Sequence, residues 1–342
     1  MNTEAILFIN LGTPDSYEVK DVRRYLGEFL MDPEVIDISA LARFILVKGI
    51  IVPFRSPKSA KAYRSIWTDE GSPLMVYSLR FMKKLRPLLK DNKVYFANRY
   101  GTPSLEQAMS QMKADKIENL HIFPLYPQYA TSTWTSIERR WRELLQKNNF
   151  KPKMTIQKPF FAHEKYIECL SDSIKEKLKS DHHLIFSFHG IPVRQCVKSA
   201  KKQTCQFNHN CCFSAVSKSD NCYRSHCMWA AKLTAAALGL SDDDWSVSFQ
   251  SRLGRAEWLK PDTTVHIEDL LKKGVRKVSV VCPAFVADCL ETVEEIDIAL
   301  REQFAESGGD SFQLIPCLNE REDWVRTAAD ISIETDQRVA FS

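Results

Sequence analysis

The sequence predicts an α/β protein made of two similar halves in tandem, each organised around parallel strands. Short β-branched or aromatic runs alternate with longer helical patterns, the rhythm of βα units. The chain also resembles itself. Ile6-Leu7-Phe8-Ile9-Asn10-Leu11-Gly12 is similar to Leu184-Ile185-Phe186-Ser187-Phe188-His189-Gly190, both apolar runs entering a glycine turn. Phe96-Ala97-Asn98-Arg99-Tyr100-Gly101 is similar to Phe249-Gln250-Ser251-Arg252-Leu253-Gly254. Each second segment is followed by a helix, a basic turn (Lys116, or Lys272 to Lys277), a strand ending in proline (Pro124, Pro283) and another helix, so the matches keep their order. Length agrees, since 342 residues make about two domains at roughly 100–200 residues each.

The expected strands are residues 6–11, 94–98, 120–125, 154–157, 184–188, 246–250, 277–282 and 312–315. Between them, helices are expected over 139–146, 166–179, 228–238, 265–273 and 291–304. Ser104-Leu105-Glu106-Gln107 reads as a capping box for a helix reaching about Lys116: the serine hydroxyl accepts a free amide and the glutamine reaches back. Residues 323–331 look helical and are expected to pack back on the first half. The resulting division is 1–150, 151–318 with a cysteine-rich insertion at 196–227, and a C-terminal piece 319–342.

Composition narrows the function. Charged residues at 26% and aromatics at 11% exclude a disordered chain. A net charge of +4 offers no basic stripe for nucleic acid, and no nucleic-acid partner is expected. The longest apolar stretch, 41–54, is interrupted by Arg43 and Lys48 and is too short to span a bilayer. Met1-Asn2-Thr3-Glu4 lacks a basic export leader, so a cytoplasmic location is expected; ten cysteines are not read there as a disulfide framework, and any cluster among them is read as metal-binding or catalytic.

Ligands of doubly wound sheets collect at the carboxyl ends of strands, so residues 11–13, Arg99, Tyr100, His189, Arg252 and the segment after Pro283 should border one cleft between the halves. His189 ends an apolar strand and is placed to be a base or a metal ligand, or is a hydrogen-bonded structural residue. In the run from Cys282 to Glu295, Asp288, Glu291 and Glu295 fall on one face of a helix beginning near Asp288. Stacked carboxylates repel, and a cation relieves them; equally, Asp288-x-x-Glu291 reads as an N-terminal cap.

Five motifs in order, Phe8-Ile9-Asn10-Leu11-Gly12-Thr13-Pro14, Tyr126-Pro127-Gln128-Tyr129, Ser187-Phe188-His189-Gly190-Ile191-Pro192, Phe249-Gln250-Ser251-Arg252 with Trp258, and Phe285 through Glu295, together resemble the ferrochelatase family. The resemblance runs from about residue 5 to residue 325. It implies two Rossmann-like, chelatase-type halves on parallel four-stranded sheets, with a porphyrin cleft between them. It implies a lyase of haem biosynthesis that inserts Fe2+, as substrate, into protoporphyrin IX with release of two protons. His189 matches the family's active-site histidine, Glu291 its partner carboxylate, and Glu295 the next acid in a line that passes metal in or protons out. Base and ligand are not told apart. Trp258 matches a pocket tryptophan, and Arg55, Tyr63, Ser72, Arg99 and Tyr100 match positions that hold or flank the substrate. Residues 41–54 would form an apolar lip, with peripheral contact at the inner face of the membrane expected.

Two departures stand out. Cys289 replaces a histidine that many members carry. The connection after His189 is lengthened and holds Cys196, Cys205, Cys211, Cys212, Cys222 and Cys227. No CxxC pair is present, which disfavours a zinc ribbon, and the animal [2Fe–2S] arrangement would need a cysteine where this chain has Ala130. Because the resemblance implies a family in which many members carry a [2Fe–2S] cluster, an internal cluster on four of the six is expected, with Cys227 and one of Cys211 and Cys212 as bystanders. The alternatives are a chelatase for coproporphyrin III or cobalt, and a non-catalytic haem or iron sensor. A sensor has no need of His189 paired with Glu291.

Overall fold

The structure is a computed structural model and describes residues 4–200, 207–214, 221–252, 254 and 256–341. Its strands among these residues are β1 (Glu4–Asn10), β2 (Lys93–Asn98), β3 (Asn119–Pro124), β4 (Lys153–Gln157), β5 (His183–His189), β6 (Trp245–Gln250), β7 (Lys277–Val281), β8 (Ser311–Leu314) and β9 (Arg338–Ala340). All eight expected strands form. Ala5 through Ile9 are completely buried, as an inner strand covered on both faces requires, and the apolar run is continuous rather than alternating for that reason.

One sheet has the order β2-β1-β3-β4-β9 and the other β6-β5-β7-β8. Four parallel strands stand in each, in the same order, so the repeat seen in the sequence is a repeat of topology. The correction is β9, which adds a fifth, antiparallel strand beside β4. The halves share finer details. Asn98 N–H donates to Pro103 C=O at 2.7 Å and Phe249 N–H to Pro261 C=O at 2.8 Å. The next residue then caps a helix in each case. Ser104 forms the expected capping box on Leu105–Ala114, and the Asp262 carboxylate accepts from Thr264 N–H at the head of Thr263–Lys272.

The chain divides into two compact units. The first holds the residues up to Tyr126, then Thr131–Lys158 and the residues from Glu320; the second holds Pro127–Ala130 and Pro159–Asn319. The expected boundary at 150 therefore falls too early, because β4 pairs with β3 and belongs to the first sheet. Within the first unit the C-terminal helix Glu322–Ile333 stacks Trp324 on Phe81, ring centroids 5.9 Å apart. Arg338 of β9 donates to the Glu4 carboxylate at 2.6 Å.

In the second unit β5 lies between β6 and β7, so the connections turn back beside it and leave a crevice at its carboxyl end. His189 is the last residue of that strand. The core beneath is Ile185, Val278, Val280, Phe304 and Phe312 with Leu270 and Ile296. No helix among the described residues is long and apolar enough to cross a membrane.

Candidate active site

Burial and backbone geometry decide the state of His189. Its Nδ1 lies 2.6 Å from the Gly190 carbonyl, which can only accept, so Nδ1 carries the proton and Nε2 presents a lone pair. Burial holds the imidazole below its ordinary value, while the Glu291 carboxylate acts in the opposite sense. A neutral imidazole that presents Nε2 under the electrostatic influence of a carboxylate is a proton acceptor or a metal ligand. Gly190 is required by close approach: its N–H donates to Gln250 C=O at 2.6 Å, and a Cβ there would lie 2.8 Å from that oxygen and 3.3 Å from the Trp258 ring. Trp258 is buried beside this turn, and the Phe285 ring stands edge-on to the imidazole with centroids 6.1 Å apart.

Gln250 links this turn to the acidic segment. Its side-chain oxygen accepts from Ser187 Oγ at 2.7 Å, and its Nε2 donates to Glu291 C=O at 2.7 Å. The helix expected from Asp288 starts instead at Leu290 and passes into a π-helix over Val293–Leu300. Such segments concentrate at functional sites. Asp288 is not in line with the glutamates. It accepts from Thr292 Oγ1 at 3.0 Å, from Cys317 N–H at 3.2 Å and from Asn319 Nδ2 at 2.7 Å, so it clasps the loop. Cys289 is buried, and burial with the adjacent Glu291 pushes its thiol well above the usual range, so it stays protonated.

Both Glu295 oxygens are held by Ser251, the backbone N–H at 2.7 Å and the hydroxyl in a second bond. Ser251 adopts a left-handed backbone, φ 67°, which non-glycine residues rarely take and which aims both donors at one carboxylate. Burial raises Glu295 to about 7, helped by Glu291 and opposed by Ser251. The folded state then binds more protons than the unfolded chain between the ordinary value of 4.5 and about 7, so this residue costs stability as pH rises through that window. Glu295→Gln should therefore raise the melting temperature of metal-free protein more at about pH 8 than at about pH 5. Equal gains at both would show that the carboxyl is not held protonated.

Among the described residues no group of three or more His, Cys, Asp or Glu side chains is arranged to hold a metal ion. Of the six insertion cysteines, Cys196, Cys212, Cys222 and Cys227 are buried, Cys211 is half-buried, and Cys205 lies outside the described residues. Arg224 donates to the Cys212 sulfur at 2.5 Å. Cys222 and Cys212 act electrostatically on Cys227, so the expected bystander neighbours two other insertion thiols.

The remaining expected residues belong to the first unit. Ser72 is buried and accepts from Thr13 Oγ1 at 2.8 Å. Tyr63 is buried, edge-on to Tyr25 and Trp67, and Arg55 is exposed. Arg99 and Tyr100 are buried, and both are engaged by Asp32. The Asp32 carboxylate also accepts from Ser136 Oγ at 2.5 Å and Arg139 at 2.8 Å. Burial would raise Asp32, but Arg99, Ser136, the Glu34 N–H and Arg139 outweigh it and hold the carboxyl below its usual range.

Sequence reasoning named Gln250 and Ser251 only as parts of a motif and missed Tyr223, whose hydroxyl donates to the His189 carbonyl at 2.6 Å. The signal for Ser251 was a serine where the first half has Asn98; for Tyr223 there was none.

A family model for ferrochelatase matches residues 3–336. The ferrochelatase of Ectopseudomonas mendocina is 43% identical over 327 residues, covering 95% of this chain and 96% of that protein. The ferrochelatase of Pseudomonas putida is 42% identical over 338 residues, covering 97% and 99%. Among solved structures the chain is similar in fold to SirB from Bacillus subtilis with Fe3+, with a TM-score of 0.58 at 9% identity over 99% of this chain and 100% of that one.

Proposed function

The chain belongs to the ferrochelatase family, a lyase that inserts ferrous iron into protoporphyrin to form haem, and from that premise we propose how its residues divide the work. Insertion exchanges two pyrrole protons for Fe2+, strips water from the ion and needs the macrocycle held in an apolar slot. His189 takes the pyrrole protons on Nε2. The observation that carries this is the 2.6 Å contact of Nδ1 with the Gly190 carbonyl, which fixes the tautomer and leaves Nε2 as the acceptor. Glu291 meets the metal beside it, and Glu295, titrating near neutrality, is the next carboxylate for the ion entering or the proton leaving. Trp258 packs on the ring, and Arg55, Tyr63 and Ser72 serve the propionate end. Arg99 and Tyr100 already bind Asp32 and act on the substrate through the loop they brace.

The test is anaerobic turnover of purified protein with protoporphyrin, scored against coproporphyrin III and against Co2+. Haem formation from protoporphyrin and Fe2+ well above the uncatalysed rate is expected. A preference for coproporphyrin III or cobalt would reassign the substrate.

We propose a cytoplasmic protein that meets the inner face of the membrane through 41–54. Leu41 is 71% exposed and Phe54 80%, with Phe44, Ile45 and Ile50 exposed between them, an apolar patch on one continuous helical stretch. Replacing Ile50 and Ile51 by glutamate should abolish co-sedimentation with anionic liposomes while leaving turnover of a detergent-solubilised porphyrin within about twofold. Unchanged sedimentation would sink the assignment.

The internal [2Fe–2S] cluster is proposed on four of Cys196, Cys205, Cys211, Cys212, Cys222 and Cys227. The Arg224 guanidinium at the Cys212 sulfur favours a thiolate there, while among the described residues no three donors are assembled. Anaerobically prepared protein without acid-labile sulfide or visible absorbance would overturn it.

A further inference from the structure

We propose that Gln250 is a positioning residue for Glu291, and that Ser187 sets the direction of its amide, so that this buried pair fixes where the Glu291 carboxylate stands beside His189. The inference rests on the reading that Glu291 meets the metal. Gln250 ends β6 and is paired in register with His189, the last residue of β5, so the two stand side by side at the carboxyl end of the sheet. The Gln250 backbone carbonyl accepts from Gly190 N–H at 2.6 Å, which ties it to the His189 turn. Its side chain serves the acidic segment.

An amide has a donating end and an accepting end, and its neighbours decide which faces which. The Glu291 carbonyl, 2.7 Å away, can only accept, so it takes the N–H end. The amide oxygen then receives the Ser187 hydroxyl at 2.7 Å and the Cys282 thiol at 3.5 Å. With the amide reversed, two oxygens would face each other at Glu291 and neither donor would meet an acceptor. These groups come from three neighbouring strands, Ser187 from β5, Gln250 from β6 and Cys282 directly after β7. Each is at most 2% exposed, so water does not compete for their bonds.

The acidic segment needs such an anchor. Glu291 sits in a single α-helical turn, Leu290–Thr292, before the winding changes to a π-helix at Val293. One turn has too few internal bonds to repay the ordering of its backbone, so outside contacts set its place. Asp288 holds it from the loop by accepting from Thr292 Oγ1 at 3.0 Å, and Gln250 holds the Glu291 carbonyl from the sheet. Without the amide the Glu291 peptide loses its tie to the sheet, and a group misplaced by about 1 Å costs about 100-fold in rate. The bond from Gly190 is made to the backbone of residue 250 and survives a side-chain change, so His189 keeps its aim.

A double-mutant cycle in the anaerobic assay tests it. Gln250→Leu should lower kcat about 10- to 100-fold and raise KM for Fe2+ severalfold, with porphyrin affinity, read by fluorescence quenching, within about twofold. In a Glu291→Gln background the same change should cost less than about threefold, because no carboxylate is left to aim. A merely structural role would add its full loss to either background. Equal losses in both, an unchanged kcat, or a defect confined to porphyrin binding would therefore overturn the inference. Should Gln250→Leu fail to fold, Ser187→Ala decides: it should lower kcat severalfold in wild type and leave Glu291→Gln unchanged, and equal effects on the two overturn the inference. Glu291→Gln alone separates the two readings. If it turns over Fe2+ like wild type, the role of Glu291 has failed and the inference falls with it; if it is slow and the losses simply add, only the positioning by Gln250 has failed.

Discussion

Replacing His189 by alanine should slow ferrous insertion about 100- to 10,000-fold, the usual contribution of a placed acid–base group. The wild-type imidazole is kept neutral by burial and presents Nε2 because Nδ1 is fixed by Gly190. Alanine removes the acceptor, and Cys289 offers no replacement, being held protonated by burial and by Glu291. Gln250 still anchors the Glu291 backbone, so the carboxylate stays in place. The loss should therefore fall on kcat with porphyrin affinity retained. Glu291→Gln keeps shape and removes charge, and it should lower kcat while raising KM for the metal. Stopped-flow quenching of porphyrin fluorescence reports binding, and haem absorbance reports turnover. A His189→Ala protein within about tenfold of wild type would remove this residue from the chemistry.

Asp32→Ala should destabilise the first unit by about 3–5 kcal/mol, the cost of breaking a buried ion pair on one side. The Asp32 side chain is completely buried and that of Arg99 nearly so; removal of the carboxylate strands the guanidinium and withdraws the acceptor from Tyr100 and Ser136. The dependence on acid has a definite sign. Asp32 titrates below its ordinary 3.8 in the folded state, so its contribution is full above that value and disappears as pH falls through the lower folded one. Urea unfolding near neutral pH should show the first unit's midpoint displaced, and the difference from wild type should shrink in acid. A change under about 1 kcal/mol would mean the pair is relaxed by water.

Strands were legible because buried parallel strands are written as unbroken apolar runs, and the order of the halves was legible because the chain repeats them. β9 was not, since three residues with Val339 exposed carry no such run and pair only at an edge. The π-helix over Val293–Leu300 escaped because apolar spacing marks a helix but not its winding. Asp288 was grouped with Glu291 and Glu295 on α-helical spacing, and the later helix start set it aside as a loop clasp. The roles of Arg99 and Tyr100 depend on Asp32, 67 and 68 positions earlier, a pairing no local pattern announces. His189 stood out at the end of an apolar strand and Glu291 in an acidic run, and the family resemblance supplied their paired roles. What joins them, Gln250, Ser251 and Tyr223, needed the fold.

Proton release during anaerobic mixing of wild-type protein, protoporphyrin and Fe2+ in weakly buffered solution reads the insertion step itself. Two protons should be released for each haem formed, at a rate proportional to enzyme and lost together with haem formation in Glu291→Gln. Haem appearing no faster than without protein, or protons released without haem, would contradict it.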